Sequence, residues 1–342
     1  MRDSIILCNL LYILSKHKHW ELMSIQQIIR NLFIGLILPC LLLSSCALIG
    51  LEEEEEETTT TASNSPSDDS PSDDDAGSGA TTPVVITEYI HSSLPSDWRS
   101  EYQTIKSNLS DIFPLYAANY SKVDIFAWHG DTSNPYTAQG LSNPCGACIS
   151  GVSQDHLHMI LQISAFEIDN NLYHRYSVIA HEYYHLYQTS ISDNFWDFGV
   201  KWLIEGAAAS VESIYMQQYY NYNYFTNDFP SLSSKTNTTP EIYEDYNSSS
   251  DDINYSSSVY LILHLSKKLM NAGHSEATAF RMIFKDFLEQ HPTSTNWKTI
   301  FQSTFGFTVD QFYADVKNVS SPAIDSTVLP STSLTLQEIF SE

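Results

Sequence analysis

His181-Glu182-Tyr183-Tyr184-His185, preceded by the apolar run Val178-Ile179-Ala180 and followed by Trp202-Leu203-Ile204-Glu205-Gly206, decides how this chain is read. Two histidines four apart on a helix project about 40° from each other around its axis, so both imidazoles reach one point. Glu182 turns to the neighbouring face, where its carboxylate can polarise a water held by the same metal. The residues before His181 are helical and apolar, as a buried metal helix requires. Glu205 follows His185 after a spacer of 19 residues, on a second stretch with helical character. His181, His185 and Glu205 then supply the three protein ligands of a catalytic zinc, with a fourth position open to water. Such zinc lowers the pKa of its water towards about 7, and Glu182 takes the proton as general base. Glu212 lies two turns beyond Glu205 on the same helix face, where it either orients a ligating imidazole or faces solvent.

Outward from these helices the pattern predicts an α+β body, a small mixed sheet followed by a mainly helical half. A strand over 84–90 leads into an amphipathic helix over 96–119, marked by Trp98, Tyr102, Ile105, Leu109, Ile112 and Leu115 and bent or ended near Pro114. A short strand over 123–128 precedes a loop over 130–151 rich in Gly, Asn, Ser and Pro. Residues 158–166 read as a further strand, and Asp169-Asn170-Asn171 as the N-cap cluster of the metal helix over 172–189. The second helix covers 200–220. A polar loop over 231–252 precedes helices at 255–271, 276–290, 297–305 and 309–316, and nothing is assigned after Ser320. His129, His156 and His158 read as surface or hydrogen-bonded residues and are not nominated as ligands. The six aromatics between Tyr215 and Phe225 read as packing at a helix end. Cys145-Gly146-Ala147-Cys148 fits an oxidised pair closing a small loop, ahead of a redox-active pair or a metal site shared with His156 and His158.

The amino-terminal part belongs to a different regime. From Met23, a possible true start, Arg30 is followed by an apolar run over 32–43 and then by Leu43-Ser44-Ser45-Cys46. A basic residue, a short apolar stretch and small residues before a cut site describe a secretory signal over 1–46. Residues 47–83 carry six consecutive glutamates, four threonines, and then Ser, Pro, Asp and Gly. Such a linker has too little apolar surface to offset its ordering entropy, and its like charges extend it. The folded body is expected over 84–320, with 321–342 as a tail. The chain as a whole carries a net charge of −25, and the part from Pro83 onward has 12 bases against 28 acids, a net of −16. That field repels a nucleic-acid duplex, so nucleic acid is excluded as a partner.

The ending Leu43-Ser44-Ser45-Cys46 resembles the lipobox of bacterial lipoproteins. That resemblance implies acylation of Cys46, attachment to a membrane of the bacterial cell envelope, and an extracytoplasmic body. His181-Glu182-x-x-His185 with Trp202-Leu203-x-Glu205-Gly206-x-Ala208 resembles the gluzincin metallopeptidases: aminopeptidase N, thermolysin-like enzymes and peptidase MA-like domains. The likeness extends loosely to Ile253-Asn254-Tyr255-Ser256 and to the stretch 297–312. It implies a zincin-like fold with Zn2+ between the two helices and a peptide or protein substrate. It also makes Tyr255 a hydrogen-bond donor to the developing oxyanion. An edge strand is expected to align the substrate backbone, and 158–166 is the candidate. The glycine-rich, glutamate-bearing segment with which aminopeptidases capture a substrate amino terminus is absent, which favours an endopeptidase. The alternative is a binding or adhesin lipoprotein that keeps the fold without the activity; the oligomeric state is unknown.

Overall fold

Alternating apolar residues in the first half of the body assemble one four-stranded sheet. The computed structural model describes residues 82–341 other than 143, 154, 230 and 247–251. The expected signal segment, Cys46 and nearly all of the acidic linker lie outside the described residues. In chain order come β1 (Val85–Ile90), α1 (Ser96–Ile112), β2 (Lys122–His129), β3 (Ala147–Ser153) and β4 (His156–Ile163). The strands lie in the order β1-β2-β4-β3; the first three are mutually parallel and β3 is antiparallel to β4. Val123, Ile125, Leu157 and Met159 face the main core, while Phe126, Trp128 and Ile160 on the opposite face form a smaller core with Tyr136 and Leu141.

Three expectations for this half change. The loop expected over 130–151 contains β3, whose small and polar residues carry little strand signal of their own and are held by the ladder to β4. The strand expected over 158–166 ends at Ile163 and is interior, so it is not the substrate-aligning edge; β3 is the edge beside it. Its near-continuous run Leu157, Met159, Ile160 and Leu161 is that of a strand covered on both faces, the opposite of an edge. Asp169-Asn170-Asn171 closes a short helix, α2 (Ala165–Asp169), and does not open the next one. The Asn170 side chain donates back to the Phe166 carbonyl at 2.8 Å, and Asn171 turns to φ 54°.

The remainder is mostly helical. It comprises α3 (His174–Ile191), α4 (Phe195–Phe198), α5 (Lys201–Tyr220), α6 (Tyr224–Asn227), α7 (Asp252–Asn271), α8 (Glu276–Arg281), α9 (Trp297–Phe305), α10 (Val309–Lys317) and α11 (Leu336–Phe340). The α1 helix stops at Ile112 because Phe113, ahead of Pro114, is pushed out of the helical region to φ −119°, ψ 72°. Its buried stripe of Trp98, Tyr102, Ile105, Leu109 and Ile112 packs towards α3, each large side chain stabilising by roughly 1.5–3 kcal/mol. The Trp98 indole donates to the Arg175 carbonyl at 2.8 Å, and the Asn119 amide donates to the Thr189 and Ser190 carbonyls near the other end of α3.

Helix α3 is buried along nearly its whole length, from Ser177 to Ser190. A helix buried on all sides, polar residues included, is one enclosed by neighbours, here α1, the sheet and α5. Beyond α8 the chain continues as a π-helical turn over Met282–Asp286, where the Tyr184 hydroxyl of α3 donates to the Phe284 carbonyl at 2.7 Å. A side chain bonded into a helical ladder is a recognised cause of such a distortion. The segment after Ser320 adds α11, with Leu336 and Ile339 fully buried and the Phe340 ring against Phe113 and Tyr187. Among the described residues, no helix is long and apolar enough to cross a membrane.

Candidate metal centre

Helices α3 and α5 pack against each other, and three donor atoms meet between them. His181 Nε2 and His185 Nε2 are 3.1 Å apart. Glu205 Oε2 is 3.5 Å from the first and 3.3 Å from the second. Zinc bonds of 2.0–2.1 Å at the tetrahedral angle place ligand atoms roughly 3.3–3.4 Å apart, so the triangle matches one face of that coordination shell. All three residues are buried, with side chains 8–11% exposed.

The surrounding hydrogen bonds prepare both imidazoles to face the same point. His181 Nδ1 lies 3.0 Å from Glu212 Oε2, and His185 Nδ1 lies 2.7 Å from Gln188 Oε1. Both partners are acceptors, so each imidazole in its neutral form carries its proton on Nδ1 and presents the Nε2 lone pair to the centre. Glu212 is itself held by the Ser177 hydroxyl, which donates to Oε1 at 2.5 Å. The Gln188 amide nitrogen donates to the Ile204 carbonyl at 3.3 Å, fixing its orientation and tying α3 to the residue before Glu205. Two lone pairs and a carboxylate oxygen then point at one another, an arrangement that calls for a cation.

The electrostatics agree. Glu182, Glu205 and Glu212 are three buried carboxylates, and Lys201 is the cation beside them, with Nζ 3.3 Å from Glu205 Oε1. Burial lowers the His181 pKa, but Glu205 and Glu212 outweigh it and hold this imidazole well above the usual histidine range. Burial raises Glu205, but His185 and His181 outweigh it and hold the carboxylate far below its ordinary value. A site that draws a proton this strongly favours positive charge, and a divalent ion supplies it while satisfying all three donors. Imidazole and carboxylate donors suit zinc among other transition ions.

Glu182 stands beside the triangle without belonging to it. Burial pushes its carboxyl up, against the pull of His181 and His185, and its Oε2 is buried with no hydrogen-bond partner. Tyr255, on α7, brings its ring centroid to 6.1 Å from that of His181. Gly206 is what lets α7 come so close. A Cβ at this position would stand 2.8 Å from the Ser258 carbonyl oxygen, one turn along α7 from Tyr255.

Two cavities, of about 470 and 260 Å3, open on either side of the centre and share Ala147, His181, Glu182 and Tyr255 in their walls. The larger extends towards Glu167, His174 and Asp228, and the smaller towards Phe195, Trp196 and Ile204. The smaller runs along the start of β3 past Ala147, Cys148 and Ile149, where the Cys145–Cys148 disulfide sits, and the larger meets that strand at Ala147.

The structure thus brings together His181, Glu182, His185, Glu205 and Tyr255, and places Glu212 on His181. Sequence reasoning missed Gln188, Ser177, Lys201 and the β3 edge. The first had a usable signal, since residues three apart on a helix share a face and can bond, as His185 and Gln188 do. No protein-family model matches this sequence, and no curated protein matches it either.

Proposed function

We propose that this chain is a zinc-dependent peptidase of zincin-like fold, probed best at the triangle of His181 Nε2, His185 Nε2 and Glu205 Oε2. That triangle, with its 3.1–3.5 Å edges, is the observation that supports the reading. Zinc held there would supply an acidified water and a polarising charge for the substrate carbonyl. His181 and His185 hold their protons on Nδ1, against Glu212 and Gln188, and so stay available as ligands. Glu182, with one oxygen unpartnered, accepts the proton that water gives up and returns it to the leaving amine. Tyr255 is the candidate donor to the developing oxyanion. An extended peptide lies along β3, its residues on the two sides of the scissile bond entering the two cavities. A cleft continuing on both sides of the centre favours an endopeptidase. Anchoring to the bacterial envelope through lipidated Cys46 is part of the same proposal, as is the absence of a nucleic-acid partner.

The test is metal content together with cleavage of a general protein substrate by wild type and Glu182→Gln. The expected result is bound zinc in both proteins and a loss of about 10²–10⁴-fold in turnover in the variant. Zinc bound with no cleavage by wild type would shift the reading to a binding lipoprotein. A wild-type protein purified without chelator and lacking zinc would refute it.

A further inference from the structure

We propose that Asp124, His156 and His158 form a second divalent-metal site, on the face of the sheet turned away from the α3–α5 centre. Residues two apart on a strand share a face, so His156 and His158 of β4 stand side by side, their ring centroids 5.3 Å apart. The parallel register sets Asp124 of β2 directly opposite His158. Their neighbours Leu157, Met159, Val123 and Ile125 turn the other way, into the main core, so this cluster is separated from the first centre by the sheet itself.

The three side chains are poorly explained by hydrogen bonding and well explained by a cation. Asp124 Oδ2 is 3.1 Å from His156 Nε2, yet that nitrogen is buried and has no hydrogen-bond partner because the alignment fails. Asp124 Oδ2 is 3.9 Å from His158 Nε2, too far for a hydrogen bond. His158 is 7% exposed, and its ring is held edge-on against Phe126, 4.9 Å between centroids. One ligand atom from each residue lies within 4.8 Å of the other two. The separations of 3.1 and 3.9 Å bracket the roughly 3.3–3.4 Å of a tetrahedral site with 2.0–2.1 Å bonds. A two-imidazole, one-carboxylate set selects first-row transition ions such as zinc over magnesium or calcium. The bound ion clamps β2 to β4 at the end of the sheet where the β3–β4 turn begins.

The experiment measures zinc per chain, by elemental analysis after dialysis against buffer with excess zinc and then against zinc-free buffer. It uses wild type, Asp124→Asn, His158→Gln, His185→Gln and the Asp124→Asn/His185→Gln pair, with near-ultraviolet circular dichroism as the check on folding. Wild type is expected to carry about two ions, and Asp124→Asn and His158→Gln about one each with peptide cleavage unchanged. His185→Gln keeps about one ion with cleavage lost, and the double variant binds none. A folded Asp124→Asn that still carries two ions overturns the second site, as does a wild type with one ion that His185→Gln abolishes. A wild type with one ion that survives His185→Gln and disappears in Asp124→Asn would instead keep the second site and remove the first. Should both outer-face variants fail to fold, a cobalt titration of folded His185→Gln decides: a one-to-one d–d absorption band supports the site, and its absence overturns it.

Discussion

Replacing Gly206 with alanine tests whether the close approach of α5 and α7 serves the centre. The new Cβ would lie 2.8 Å from the Ser258 oxygen, 2.9 Å from its carbonyl carbon and 3.0 Å from its Cβ. Ordinary contact begins at 3.4 Å, so the two backbones must part by about 0.6 Å. Such overpacking costs about 1–3 kcal/mol, offset by up to about 1 kcal/mol because alanine suits a helix interior better than glycine. The net loss of about 1 kcal/mol corresponds to a fall in Tm of roughly 2–4 °C. Turnover should suffer more. Tyr255 sits one turn before Ser258, and a misplacement approaching 1 Å at a reacting centre costs up to about 10²-fold. Gly206→Ala should therefore lower kcat/KM by about 10- to 100-fold. Zinc affinity separates two routes: movement of α7 leaves it unchanged, while movement of α5 carries Glu205 and weakens it. Calorimetry, peptide kinetics and metal competition read all three quantities. A variant with wild-type Tm and wild-type kcat/KM would refute the role given to this contact.

Glu212→Gln removes the carboxylate that holds His181 Nδ1, and zinc should bind about 10- to 100-fold more weakly in a chelator competition while the fold persists. Glu88 receives the Tyr102 hydroxyl at 2.6 Å and Lys106 at 2.7 Å; burial raises its carboxyl, but Lys106, Tyr102 and Gln103 outweigh it and hold it below 4.5. A folded-state pKa depressed in this way gives stability that is full above pH 4.5 and lost as pH falls through the folded value. Glu88→Gln should cost about 1 kcal/mol at pH 7, and the difference in chemical-denaturation midpoint should narrow as the buffer is taken below pH 4.5. Opening the Cys145–Cys148 disulfide with Cys145→Ser releases a loop whose closure is worth about 2 kcal/mol. Because Cys148 lines the smaller cavity, KM should rise more than kcat falls; equal losses in both would mean β3 does not hold substrate.

The parts of this molecule that were legible in its sequence are those whose signal is local to one helix. His181, Glu182 and His185 needed only the helical period, and the stripe from Trp98 to Ile112 shows it so plainly that the helix is found where expected, ending at Ile112 just ahead of Pro114. Glu205 and Glu212 needed one further step, that two helices pack, and the spacing on α5 left Glu212 facing either His181 or solvent. What escaped was made by pairing between strands. β3 is small and polar by composition, and Ala147 to Ser153 become a strand because β4 offers them a ladder. The same ladder makes β4 an interior strand and leaves β3, loop-like by composition, as the edge beside it.

The outer-face histidines follow the same logic to its end. His156 and His158 share a face by the strand period alone, which identifies neither a third ligand nor the buried His156 Nε2 without a hydrogen-bond partner. Asp124 reaches them through the parallel register of β2 and β4, a pairing set by the core-facing residues Val123, Ile125, Leu157 and Met159. Slipping that register by one residue would turn Asp124 into the core and Val123 out to the histidines. The apolar packing on one side of the sheet therefore specifies the polar cluster on the other, and a ligand set assembled in this way is visible only once the strands are paired.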